Sequence, residues 1–85
     1  MEDNNITITV TDVSGSKTKR IEVSKNVPMK RLIPVLAKTL ELVEGEQYKA
    51  QNKRTKKEYG DEDTLASTGT ENEDAVRLIP KQPGA

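Results

Sequence analysis

The chain has 85 residues, with 14 Lys+Arg against 14 Asp+Glu, 32% hydrophobic residues, and no His, Cys, Trp or Phe. Without His and Cys the commonest zinc sites, imidazole bases, thiol nucleophiles and disulfide frameworks are excluded, which argues against an enzyme and against any metal or cofactor site. Zero net charge and only two aromatic residues, Tyr48 and Tyr59, argue against nucleic-acid binding.

The longest apolar run, 32–37, is far short of the roughly 20 residues of a membrane span. The opening Met-Glu-Asp-Asn-Asn is acidic where a signal peptide needs positive charge, so a cytoplasmic protein is expected. A chain this short buries only about 60–65% of the surface that its unfolded form exposes, so its few large apolar residues must converge on one core.

Ile6-Thr7-Ile8-Thr9-Val10-Thr11 alternates strictly and is β-branched throughout, which predicts a half-buried strand with Ile6, Ile8 and Val10 on one face. A turn around Gly15 leads into residues 17–23, where Lys19, Ile21 and Val23 share a face and Arg20 and Glu22 point away. The two strands form a predicted hairpin. Val27-Pro28 offers a helix entry, and Met29, Leu32, Ile33, Leu36 and Leu40 then recur at steps of three and four, predicting a helix over 28–41 with Leu42 closing its apolar face. Pro34 lies past the first turn, and a kink or a split helix is expected there.

Residues 43–47 read as a turn, and 48–52 as a third strand with Tyr48 and Ala50 inward. The basic run 53–57 reads as a solvated strand end or hairpin neutralised by Glu58, Asp61, Glu62 and Asp63, with Tyr59 as core filler. Val76 and Leu78 alternate with Arg77 in a last strand that Pro80 ends. The fold class is α+β: a mixed four- to five-stranded sheet packed on one helix, without internal repeats. Residues 1–5 form a flexible N-terminus, 6–79 the domain and 80–85 a flexible tail.

The stretch Thr64–Ile79 carries a resemblance. Thr64-Leu65, Gly69, Glu73-Asp74, Val76 and Leu78 stand at the spacing of the ubiquitin-like β-grasp family, which the whole order of elements also resembles. Two residues depart from the pattern. Thr70 replaces an apolar residue, which weakens the core locally, and Glu73 replaces a turn glycine, which asks for another turn geometry. The helix entry 27–33 resembles a narrower branch, the YukD/EsaB-type proteins associated with type VII secretion.

The resemblance implies a protein modifier. Gly84 and Ala85 fall where such modifiers carry their Gly-Gly, and Lys81 where a basic tail residue contacts the activating enzyme. The terminal Ala and the stiffening Pro80 and Pro83 depart from that pattern. Implied partners are activating and conjugating enzymes, a processing peptidase and target lysines, with the protein itself a monomer. Lys57 falls at a chain-linkage position of ubiquitin in the ungapped register. The partner face implied is that of Lys49, Gln51, Lys53 and Ile79, with Val13 as the other apolar candidate. Alternative readings are a noncovalent YukD/EsaB-like accessory of a secretion machine, and a sulfur carrier, which would need an uncapped Gly-Gly; the bland reading of the tail is a solvated terminus.

Overall fold

The computed structural model describes residues 4–42 and 46–81. Two N-terminal strands, β1 (Asn5–Thr11) and β2 (Thr18–Ser24), form an antiparallel hairpin. The helix α1 (Met29–Thr39) follows, then β3 (Tyr48–Asn52) and β4 (Ala75–Pro80). The sheet order is β2-β1-β4-β3, with β1 and β4 parallel at the centre. Each strand lies within one residue of its predicted bounds.

Alternation decides the layering. Ile6, Ile8 and Val10 of β1, Val76 and Leu78 of β4 and Ala50 of β3 are buried with Met29, Leu32, Ile33, Leu36 and Leu40, and Leu65 joins them from the loop between β3 and β4. Ile21 and Val23 of β2 pack against the edge of this cluster. Thr7, Thr9, Gln51, Arg77 and Ile79 take the alternate positions, on the face away from the helix.

The helix is shorter than predicted at both ends. Pro28 is its N-cap, outside the first turn, and the free amides of Met29 and Lys30 donate to the carbonyls of Asp63 (2.8 Å) and Asp61 (3.0 Å). The acidic loop thus caps α1 through its main chain. At the other end Glu41 adopts φ 58°, with Leu42 N donating to Ala37 O and Glu41 N to Lys38 O, the double bond of a Schellman ending.

The expected split at Pro34 is absent: α1 runs unbroken through it. Pro34 and Lys30, whose carbonyl loses the donor that a non-proline residue would supply, both lie on the exposed side of the helix. The fifth strand is reduced to a single bridge, Gln51↔Glu58, flanked by Asn52 N to Lys57 O and Tyr59 N to Ala50 O. These bonds cover part of the outer edge of β3.

Candidate protein-interaction site

The register of β3 on β4 sets Lys49 opposite Ile79, Gln51 opposite Arg77 and Tyr48 opposite Pro80. Lys49, Ile79, Pro80 and Lys81 line a shallow, open depression with Val13, which is 53% exposed. Of the predicted partner-face residues, the structure brings Lys49 and Ile79 together here and places Gln51 two positions along the same strand face. Lys53 lies past the end of β3, exposed, its amide donating to Ala75 O at 2.9 Å. Lys81 is exposed and anchored by its amide to Gln47 O at 2.8 Å. Gly84 and Ala85 lie outside the described residues.

One expectation about charge needs correction. The basic run is not neutralised by the acids that follow it: Arg54 bonds Asp74 instead, while Glu58 pairs with Lys49 (3.2 Å) and Glu62 with Lys30 (2.9 Å). Lys49 of the partner face is therefore already matched by Glu58.

Beside the face sits a polar cluster that pattern reading missed. Asp74, 7% exposed, accepts from Arg54 Nε (2.9 Å) and Nη2 (3.0 Å), from Asn52 Nδ2 (3.1 Å) and from the amide of Glu71 (2.8 Å). Arg54 first, and then the amide and Asn52, hold the Asp74 carboxyl down to about 2 against the cost of burial. Asn52 also bonds the Tyr59 hydroxyl (3.1 Å), which shares a 2.6 Å bond with Thr70 Oγ1.

Thr70 therefore does not open a weakness in the core, because its buried hydroxyl is satisfied by Tyr59 and Thr68. Glu73 likewise does not change its turn: it takes φ 72°, the left-handed conformation that a glycine would adopt there. Its carboxylate is held by Arg20, and that pairing lowers its pKa. The only sequence sign of the cluster was Asn52, a polar residue at an inward position of β3.

Among the described residues no group of three or more His, Cys, Asp or Glu could hold a metal, and no helix is long and apolar enough to cross a membrane. The β3–β4 end offers an open surface lined by Val13, Lys49, Ile79, Pro80 and Lys81.

The same architecture recurs in solved proteins. A designed protein based on ubiquitin superposes with a TM-score of 0.77 at 17% identity, covering 98% of this chain and 96% of its own. The ubiquitin of Caldiarchaeum subterraneum gives 0.72 at 20% identity, with 95% and 99% covered. The fold is the ubiquitin-like β-grasp. A SUMO mimic described as promoting DNA repair has it as well, at 0.75 and 19% identity over 93% of this chain and 95% of that one. No protein-family model and no curated protein sequence matches the chain. On this β-grasp, the candidate site lies at the β3–β4 end of the open sheet face, where the chain leaves β4.

Proposed function

We propose that this β-grasp protein is a ubiquitin-like modifier, acted on by separate enzymes in the cytoplasm. What supports the reading is where the chain leaves the fold. β4 ends at Pro80, Lys81 is exposed on the rim of the Val13–Lys49–Ile79 depression, and residues 82–85 continue from there. An enzyme that reads this face would meet the chain at Lys81, where it leaves β4.

The chemistry is acyl activation. A carboxylate oxygen of Gly84, after a peptidase removes Ala85, or of Ala85 itself, attacks the α-phosphorus of ATP and expels pyrophosphate. A partner's thiolate then displaces AMP, and a target lysine amine displaces the thiolate to leave an isopeptide bond. Lys81 contacts the activating enzyme, and all catalytic groups belong to the partners.

The mixed character of the face also favours a second reading, in which the protein binds partners without conjugation, as an accessory of a type VII-like secretion machine. Intact-mass spectrometry of the protein from its own host separates the two. Loss of Ala85, or a ladder of heavier species that disappears when Gly84 is deleted, is expected for the modifier. A single unprocessed species, with function surviving removal of residues 81–85, would leave the noncovalent reading.

A further inference from the structure

The two edges of the sheet are unlike. Residues 57–59 bond along the outer side of β3, whereas among the described residues β2 has only β1 beside it over its seven residues. Asp12 N donates to Lys17 O at one end of the hairpin and Lys25 N to Asn4 O at the other. Bonds recur at alternate residues of an antiparallel ladder, so Lys19, Ile21 and Val23 turn their backbone groups to β1. Thr18, Arg20, Glu22 and Ser24 turn theirs outward, where a further strand could pair with them.

The sequence of β2 selects that strand. Two copies joined antiparallel about a twofold axis must place one residue opposite itself. Centring on Arg20 or Glu22 sets like charges face to face. Centring on Ile21 pairs all seven residues and sets Arg20 opposite Glu22 twice, Thr18 opposite Ser24 and Lys19 opposite Val23. Glu22 is exposed and has no hydrogen bond or ion pair among the described residues. Arg20 engages Glu73 through Nε and Nη2, which leaves the donors of Nη1 for a second carboxylate.

We propose that β2 is a self-association edge: two copies pair antiparallel about Ile21, joining their sheets into one, with reciprocal Arg20–Glu22 ion pairs fixing the register. The half-buried Ile21 side chains meet at the axis, and the Lys19 stem covers Val23 of the second copy. Because β2 and β3 are opposite edges, both partner faces stay accessible in the dimer.

The register can be tested by charge exchange. Sedimentation equilibrium of the full chain over a concentration series should show a reversible monomer–dimer equilibrium. Arg20→Glu and Glu22→Arg should each weaken it on the order of tenfold or more, since each sets two like-charge pairs face to face. An equimolar mixture of the two variants should regain dimer, because one chain then carries acids at both positions and the other carries bases at both, so every facing pair is of opposite sign. Lys49→Glu on β3 should leave the equilibrium unchanged. Circular dichroism confirms that each variant is folded. A wild-type chain monomeric throughout the series, single variants as dimeric as the wild type, or a mixture without heterodimer would each overturn the proposal.

Discussion

Asp74 ties the loop after β3 to the end of that strand, and its titration should be visible in stability. Its folded pKa of about 2 lies below the value near 4 of an unfolded aspartate, so the folded state holds the proton less tightly. The stabilisation is complete above about pH 4 and is lost as the pH falls through 2. With Arg54 46% exposed and partly screened, it amounts to about 1–2 kcal/mol. Asp74→Asn should cost about that much at pH 7, and the difference from the wild type should shrink toward pH 2 in denaturant titrations. An unchanged difference at low pH would mean that Asp74 acts through shape instead of charge. Glu41 offers the opposite case. It fills the left-handed helix-ending position without a Cβ-free backbone, and Lys17 Nζ bonds only its carbonyl oxygen (3.0 Å), a contact that any residue keeps. Glu41→Gly should stabilise the fold by about 0.5–1 kcal/mol, read as a higher denaturation midpoint at constant slope. The equivalent change at Glu73 should be close to neutral, because the strain relieved there is offset by the lost Arg20 pair.

At the level of elements, what could be read in advance was what repeats. The period-two run of Ile6, Ile8 and Val10 and the three-four spacing of Met29, Leu32, Ile33, Leu36 and Leu40 each define a buried face from one strand or helix alone, and the core consists largely of those residues. The Asn52–Asp74 bond spans 22 residues between polar side chains, and no period announces it. The free status of β2 also depends on strand order, so its self-complementary Arg20 and Glu22 meant nothing until β1 was seen to separate β2 from β4. The helix ends lie one or two residues inside the expected 28–41, because its first amides are capped by the Asp61 and Asp63 carbonyls and its last turn closes on a left-handed Glu41. Pro34 does not split the helix, although it still removes one backbone hydrogen bond. The cost is still present. Pro34→Ala should restore the bond to Lys30 O and stabilise the protein by about 1–3 kcal/mol, whereas Leu36→Ala, on the fully buried side of the same helix, should cost about 2–5 kcal/mol. Thermal unfolding of the two variants would show opposite shifts, and a destabilised Pro34→Ala would mean that the ring makes contacts worth more than the hydrogen bond.

For the whole molecule, the question is what kind of partner the open face of the sheet can accept. Its β3–β4 end combines a small apolar group, Val13, Ile79 and Pro80, with Lys49 and Lys81 in the depression and Gln51 and Arg77 farther along the strands. An amphipathic helix that seeks an aliphatic patch would have to cover the Lys49–Glu58 ion pair and the polar Gln51 and Arg77 without supplying further partners, and polar groups buried without compensation cost more than a few methyl contacts return. Generic ubiquitin-interacting helices should therefore bind weakly. A true partner should bring carboxylates to Lys53 and Lys81, and its affinity should fall as salt rises, because these side chains are exposed and their charges are screened within about 10 Å at 0.1 M. Ile79→Glu separates surface from scaffold. Ile79 is only half-buried and lies opposite Lys49, so the substitution should leave the unfolding midpoint within about 1 kcal/mol of the wild type. At the face it removes the central apolar group and sets a second carboxylate beside the Lys49–Glu58 pair, and partner binding in titration calorimetry should drop roughly tenfold or more. Tight, salt-independent binding of an aliphatic-patch helix that survives Ile79→Glu would place the partner surface elsewhere on the molecule.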